Sequence, residues 1–132
     1  MNKIGKKIWI FPDAYLPSKG HAYETSNDGF QYGHESLCIL NISNYEAILK
    51  ISFYFEDTDP YKNFEKKIDP QRSLHLRLDN LDLPNFGKLE REKPYSILLK
   101  SNIKIVAQLS RLDTTTKYNS FMTVMGWGED DR

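Results

Sequence analysis

Two short polar patterns in the sequence combine side chains that could recognise a ligand. In "RSLHLR", Ser73, His75 and Arg77 recur at every second position, so a β-strand would place them on one face, about 7 Å apart. Histidine offers a switchable hydrogen-bond donor, and arginine offers a planar fork for anions. In "HESLCILN", His34 and Glu35 stand where a loop would meet a strand. We therefore expect a site for a polar ligand, although a polar row is also the usual solvated side of a sheet.

Other chemistries find weaker support in the sequence. The three histidines and Glu35 are possible zinc or nickel ligands, but no H-x-H, H-x-x-x-H or HExxH spacing occurs. The single cysteine, Cys38, lies inside the apolar run "LCIL", which predicts a buried, structural thiol. The nucleophile and nucleotide motifs G-x-S-x-G, Walker A and G-x-G-x-x-G do not occur either. We expect no metal, no cofactor and no enzymatic activity.

Aromatic residues are a second resource for binding. They make up 13% of the 132 residues, which is more than a core of this size is expected to bury. Exposed tyrosine and tryptophan rings could stack on sugars or anchor a partner subunit. The alternative is ordinary strand composition, because aromatic residues favour sheets. Trp9 and Tyr15 are the two rings that we place among the ligand-binding candidates.

Apolar and polar residues alternate along most of the chain. In "EAILKISFYFED", Leu49, Ile51 and Phe53 share one face of a predicted strand, and "RSLHLRLDN" and "NIKIVAQLSRLD" alternate in the same way. Gly, Pro, Asn and Asp separate these segments. About eight short strands predict an all-β fold, an antiparallel β-sandwich or barrel. We expect residues 1–132 to form a single domain. The "SN" at 101–102 predicts a hairpin between two neighbouring strands.

Composition bears on the partners and the compartment. Lys and Arg number 18 and so do Asp and Glu, so no global charge favours a nucleic acid. No apolar run approaches the roughly 20 residues that span a bilayer, so we do not expect membrane insertion. The apolar run near the N-terminus ends at Pro12 and is shorter than the roughly 7–15 residues of a signal peptide. With one cysteine, we expect a cytoplasmic protein.

An ordered set of motifs resembles the sensory rhodopsin transducer family. A tryptophan and P-x-x-Y-x-P (12–17) are followed by HE-x-x-CILN (34–41), ISFYFED-x-DP (51–60), R-x-x-H-x-R (72–77) and SN-x-x-IVAQ-x-x-RLD (101–113). The resemblance rests on the order and approximate spacing of the whole set rather than on any single motif. The chain departs from the family pattern after RLD, in "TTTKYNSFMTVMGW", and in a longer segment before His34.

The resemblance implies a compact antiparallel β-sandwich of about eight strands with jelly-roll character. It also implies that the chain assembles as a homotetramer and binds a small molecule, such as a sugar or a related metabolite. One family member is proposed to carry the signal of a membrane photoreceptor, and the family implies no catalysis. The matched polar positions gain weight as site residues: His34, Glu35, His75, Arg77, Gln108, Arg111 and Asp113. The longer segment borders the suspected site, so the identity of the ligand does not follow from the resemblance.

We expect one pocket near the strand ends, formed by His34, Glu35, His75, Arg77 and Arg111, for a hydroxylated or carboxylate ligand. Without ligand, Glu35 or Asp113 should accept hydrogen bonds from a buried arginine. The leading interpretation is a non-enzymatic cytoplasmic sensor for a sugar-like metabolite. The alternative is a protein-interaction transducer that docks on a membrane receptor. For Glu35 itself, a purely structural ion pair with Arg77 or Arg111 stays open.

Overall fold

The computed structural model describes residues 3–25 and 29–130, and its strands are antiparallel throughout. Within these residues the strands are β1 (Lys6–Tyr15), β2 (Tyr23–Thr25), β3 (Gly29–Gln31), β4 (His34–Asn41), β5 (Ala47–Phe55), β6 (Tyr61–Ile68), β7 (Arg72–Arg77), β8 (Pro94–Asp113), β9 (Ser120–Met125) and β10 (Trp127–Glu129). Segments in which apolar and polar residues alternate therefore form strands, as the sequence predicts.

The long strand β8 organises the fold because it belongs to two sheets. Its first half pairs with β1 and β5, where Leu99 lies opposite both Trp9 and Ile51. Its second half pairs with β4 and β9, where Leu109 lies opposite Leu37. One sheet thus has the order β10–β1–β8–β5–β6, and the other has the order β7–β4–β8–β9.

The prediction of a hairpin at "SN" is wrong, because β8 continues through these two residues. Lys6 pairs with Ile105 whereas Ile8 pairs with Lys100, so β8 carries extra residues at this point and bends. The Asn102 side chain stabilises the bend, since its Oδ1 accepts a hydrogen bond from the Ile48 backbone N–H at 2.7 Å. Polar residues that suit a tight turn equally suit a bulge, and here the bulge transfers β8 from one sheet to the other.

The inner faces of the two sheets enclose one apolar core. Leu37, Ile39 and Leu109 on one side and Phe53 and Leu99 on the other are all at most 2% exposed. They belong to one continuous cluster of buried hydrophobic residues. The predicted antiparallel β-sandwich is confirmed.

The segment before β4 is attached to the end of β8. The Gly33 N–H donates to the Lys19 carbonyl at 3.0 Å, and the His21 N–H donates to the Thr114 carbonyl at 2.8 Å. Between these bonds β2 and β3 pair as a separate two-stranded hairpin. The path of this segment fixes where β4 begins, and therefore where His34 and Glu35 lie.

Candidate ligand-binding face

His34 and Glu35, the first two residues of β4, lie on opposite faces of their sheet. The alternation of β4 turns Glu35, Leu37 and Ile39 toward the core, and it turns His34 and Cys38 the other way. We call the side turned away from the core the outer face of the β7–β4–β8–β9 sheet. Two neighbouring polar residues thus belong to two different environments.

Glu35 is fully buried, and both of its carboxylate oxygens are occupied. Oε1 accepts a hydrogen bond of 2.6 Å from the Tyr95 hydroxyl. Oε2 accepts one of 2.9 Å from the Tyr15 backbone N–H and one of 3.2 Å from Arg111 Nε, and Arg111 Nη2 forms an ion pair with it at 3.1 Å. The Arg111 guanidinium also lies 5.8 Å from the centre of the Tyr15 ring. We call these four residues the Glu35 cluster, and it ties β1, β4 and both halves of β8 together.

The electrostatics of the cluster favour a neutral phenol at Tyr95. Burial raises the pKa of the Tyr95 hydroxyl well above its ordinary value, and the Glu35 carboxylate that it bonds raises it further. Tyr95 therefore stays protonated and remains a donor to Glu35. With its charge paired to Arg111 and its oxygens bonded, Glu35 is satisfied as a structural group.

A second buried carboxylate occupies the fork of Arg77. The Asp79 side chain, 5% exposed, receives Arg77 Nε and Nη2 at 2.8 Å each, a bidentate pair. Arg91 adds a contact of 3.6 Å and donates to the carbonyls of Pro17 and Gly33 at 2.8 Å each. This network holds the chain before β4 to the segment between β7 and β8.

The outer face brings together polar residues from three strands. Across it, His75 lies opposite Cys38, which in turn lies opposite Gln108. In the next row, Arg77 lies opposite Ser36, which lies opposite Ser110. Residues directly opposite in antiparallel strands have Cβ atoms about 5 Å apart, so each row forms a continuous polar strip.

His75 and Gln108 are the available groups of the outer face. His75 is exposed and Gln108 is half-buried, and within the described residues neither side chain has an internal hydrogen bond. His34 shares this face, but it sits at the start of β4, about 13 Å along the strand from Cys38. Its Nδ1 lies 2.7 Å from the Tyr32 carbonyl oxygen. His34 therefore borders the strip rather than completing it.

The prediction of one pocket from five residues is wrong, because the sheet separates them. Glu35 and Arg111 bond to each other on the core side, whereas His34, His75 and Arg77 belong to the outer face. The structural alternative for Glu35, an ion pair with Arg111, is the arrangement found. The sequence pattern placed these residues on the right strands, but a site also needs them on the same face.

Three further candidates have structural positions. Trp9 is 6% exposed and its Nε1 donates to the carbonyls of Lys6 and Ile105 at 3.1 Å each, so its ring packs in the core instead of facing a ligand. Tyr15 is half-buried and supports Arg111. Asp113 Oδ1 accepts hydrogen bonds from Thr115 N and Oγ1 at 2.8 and 2.5 Å, which lower the pKa of its carboxyl. Asp113 thus closes a turn.

Cys38 is half-buried rather than buried, which corrects the expectation drawn from "LCIL". The run alternates, so Leu37 and Ile39 enter the core and Cys38 lies on the outer face. Its Sγ is 3.9 Å from both the Ser36 carbonyl and Ser110 Oγ. These are weak contacts for a sulfur donor.

The sequence pattern did not identify three residues that support the candidate site residues: Tyr95, Asp79 and Arg91. The charge pair at Arg77 and Asp79, two positions apart, is a signal that could have indicated the Asp79 network. Tyr95 and Arg91 have no such signal, because their partners lie far away in the chain.

Neither a metal cluster nor a membrane helix is found in the part of the chain that the structure describes. No three His, Cys, Asp or Glu side chains there are arranged to hold a metal ion. No helix in residues 3–25 and 29–130 has the length and hydropathy of a membrane span.

Comparison with known proteins extends these observations. The family described as Anabaena sensory rhodopsin transducer matches residues 4–128. The chain is similar to a crystal structure from Thermotoga maritima, titled Thermotoga maritima 1070, with 41% identity, a TM-score of 0.81 and full coverage of both chains.

A second solved structure, the Anabaena sensory rhodopsin transducer, is 23% identical, with a TM-score of 0.65 over 81% of this chain and 83% of that one, and this likeness supports the fold alone. No curated protein matches the chain. On the match over residues 4–128, this chain belongs to the Anabaena sensory rhodopsin transducer family.

Proposed function

We propose that the chain is a non-enzymatic signalling module of the cytoplasm that binds a small, neutral, hydroxylated metabolite on the outer face. One observation carries the proposal: His75 and Gln108, from two different strands, face solvent without an internal hydrogen bond among the described residues. Polar groups held on rigid strands with unused hydrogen-bonding capacity are suited to a ligand. The family's role as a transducer supports the signalling part.

The charges favour a neutral ligand over an anion. Arg77 and Arg111 would be the natural partners of a carboxylate ligand, but Asp79 and Glu35 already occupy them. An incoming anion would have to compete with a bidentate, largely buried ion pair. A sugar needs only donors and acceptors, which the His75 imidazole, the Gln108 amide and the half-buried Ser110 hydroxyl provide.

The test is a titration of neutral sugars and of organic acids, followed by the amide NMR signals of the protein. We expect shifts at β4, β7 and the second half of β8 with a sugar. His75→Ala and Gln108→Ala should each weaken binding roughly tenfold, as the loss of a hydrogen bond to a buried ligand group would. Lys50→Ala, an exposed change on the other sheet, is the control. Binding that neither variant alters would place the ligand elsewhere.

A second candidate function, docking on another protein, is favoured by the surface of β9 and β10. Strand β9 pairs with β8 alone among the described strands, so one of its edges is open. Phe121, Met125 and Trp127 are 66%, 53% and 65% exposed, and Tyr118 just before β9 is 77% exposed. An apolar surface of this kind marks an interaction site.

We assign the β9–β10 surface to another copy of this chain within the expected homotetramer. A surface this apolar suits an obligate interface better than a transient one, because obligate interfaces are the more hydrophobic class. Docking on a membrane receptor, such as the sensory rhodopsin in the family's name, is the rival occupant.

Light scattering at micromolar concentration distinguishes the two occupants. Wild type should have the mass of a tetramer, and Phe121→Ser with Trp127→Ser should lower it. Tyr45→Ser, which alters an aromatic ring 72% exposed elsewhere, should not. A monomeric wild type would contradict the assembly. If the double variant stays tetrameric, this surface is not the interface between copies of the chain. Docking on a receptor would then be the remaining explanation for it.

A further inference from the structure

A cleft of about 230 Å³ lies at the end of β5, away from the outer face. It is enclosed by the loop after β5, the segment between β7 and β8, and the first residues of β8. The residues that decide its chemistry are Phe55, Glu56, Asp57, Phe86, Glu90 and Lys93. The cleft is separate from the site of the proposed function, so the inference below goes beyond it.

One wall of the cleft is a preformed aromatic surface. Phe55 and Phe86 are stacked with ring centroids 5.6 Å apart and planes 8° apart, and Tyr61 meets Phe86 edge-on at 5.5 Å. Phe86 is nevertheless 44% exposed, so part of its ring faces solvent. A large ring that is both stacked and exposed is suited to contact with a flat apolar group.

The turn that carries Phe86 is fixed by its backbone. The N–H groups of Phe86 and Gly87 donate to the Leu83 carbonyl at 3.0 and 2.9 Å. Gly87 has φ of 99°, a left-handed conformation that glycine adopts without strain. The ring therefore projects from a closed turn, which lowers the entropic cost of binding against it.

The rim of the cleft carries an excess of negative charge. Glu56, Asp57 and Glu90 line it, and Lys93 is the cation among the lining residues. Lys93 Nζ lies 3.0 Å from Glu90 Oε2. The hydrogen bond and charge of Glu90 raise the pKa of Lys93, and the charge of Asp57 raises it further, so both carboxylates act on one ammonium. The rim thus carries three carboxylates and one ammonium beside the aromatic wall.

We propose that this cleft binds a small organic cation with a flat apolar body, of the arylalkylamine class. The apolar body would lie against Phe86 and Phe55, and the ammonium would lie among Asp57, Glu90 and Glu56. Aromatic faces and carboxylates both attract an ammonium, the first through the ring quadrupole and the second through charge. An anionic ligand would meet three carboxylates and a single lysine.

Isothermal titration with 2-phenylethylamine and with its neutral counterpart 2-phenylethanol tests the charge requirement. We expect the amine to bind roughly tenfold more tightly at low salt, with the difference shrinking as salt screens the exposed carboxylates. Equal affinities, tighter binding of 3-phenylpropionate, or no binding of the amine at millimolar concentration would each overturn the proposal.

Variants locate the site and fix the sign of the charge effect. Phe86→Ala should lower the affinity for 2-phenylethylamine roughly tenfold, and Asp57→Asn with Glu90→Gln should lower it several-fold. Lys93→Gln should raise it several-fold, because a competing ammonium is removed. Glu46→Gln makes the same carboxylate-to-amide change beyond the opposite end of β5 and should have no effect.

A weaker affinity in Lys93→Gln would overturn the proposal, since it would show that the lysine itself holds the ligand. Phe86→Leu serves if Phe86→Ala fails to fold, because leucine keeps the apolar contact and removes the ring quadrupole. Unchanged binding of 2-phenylethylamine in a folded Phe86→Leu and in the carboxylate variant would place the amine elsewhere. None of these results depends on whether the outer face binds a sugar.

Discussion

The two faces of strand β4 show how differently adjacent polar residues can be used. On the core side, Glu35 is fully buried and accepts hydrogen bonds from Tyr15, Tyr95 and Arg111. On the outer face, the neighbouring strands present His75 and Gln108, which have no internal hydrogen bond among the described residues. The groups on the core side have no hydrogen-bonding capacity left for a ligand, whereas the groups on the outer face do.

The contrast teaches that a polar residue's type does not reveal its role, whereas its unused hydrogen-bonding groups do. Arg77 and Arg111 have the same chemistry as an anion-binding arginine, yet each is committed to a carboxylate of the chain. Removing a partner from the core side should therefore cost stability, and removing a group from the outer face should cost little.

The largest effect is expected from Glu35→Ala. The substitution leaves the largely buried Arg111 without its carboxylate and the buried Tyr95 hydroxyl without its acceptor. Breaking a buried ion pair from one side costs about 3–5 kcal/mol of unfolding free energy. Urea denaturation followed by tryptophan fluorescence measures the loss.

His34→Ala is the matched control, because it alters the adjacent residue on the other face. His34 is half-buried, and we expect a change within about 0.5 kcal/mol. Similar losses for His34→Ala and Glu35→Ala would break the distinction between the two faces.

Among the polar substitutions, Tyr95→Phe should have the next largest effect. It removes the donor to Glu35 Oε1 at nearly constant shape, which costs about 1–3 kcal/mol for a buried acceptor left unsatisfied. The loss should depend on pH. The folded-state pKa of Tyr95 lies above the unfolded value of about 10, so its contribution is complete below that pH and is lost as pH rises through the folded-state pKa.

Denaturation of wild type and Tyr95→Phe at a series of alkaline pH values checks the sign. The gap in unfolding free energy between the two proteins should be widest near neutral pH and should narrow at strongly alkaline pH. A gap that grows with pH would mean that Tyr95 is already ionised in the folded protein.

Much of the fold could be predicted from the sequence because a strand's pattern is local. Alternation in β4, β5, β7 and β8 has period two, and burial follows it at most positions, with Ser36 and Ser52 buried as well. The bend at Asn102 could not be predicted in the same way. The same polar dipeptide is compatible with a hairpin or a bulge. Which of the two forms depends on the backbones of Glu46, just before β5, and Ile48, in β5, which form hydrogen bonds with the Asn102 side chain.

The candidate site was harder to predict because it depends on which strands become neighbours. The sequence indicates that His75 and Arg77 share a face, and this is local information. The pairing of β4 with both β7 and β8 places Gln108 on the same face as these two residues. The same pairing places Arg111 beside Glu35 on the core side. Tyr95 reaches Glu35 across the core, from a strand whose own pattern shows only an aromatic residue on an apolar face.

A smaller effect is expected from Cys38→Ser on the outer face. The thiol is half-buried and its contacts are 3.9 Å long, so the change should cost less than about 1 kcal/mol. Ile39→Ala, the next residue and 2% exposed, should cost about 2–5 kcal/mol because it opens a cavity in the core. Thermal unfolding of both variants measures the difference, and a Cys38→Ser loss that matches Ile39→Ala would mean that the outer face is packed like the core.

A small effect is also expected from Asp113→Asn, at the end of β8 on the partly exposed rim of the sandwich. The hydrogen bonds from Thr115 lower the folded-state pKa of this carboxyl below its unfolded value of about 4. The stabilisation is therefore present above the unfolded value and is lost as pH falls through the lower, folded-state pKa. Since solvent screens a partly exposed carboxylate, we expect less than about 1 kcal/mol at neutral pH. Urea denaturation at neutral and acidic pH should show the variant slightly less stable than wild type at pH 7 and equal to it at strongly acidic pH. A difference that persists in acid would assign the turn's stability to the side chain's shape rather than to its charge.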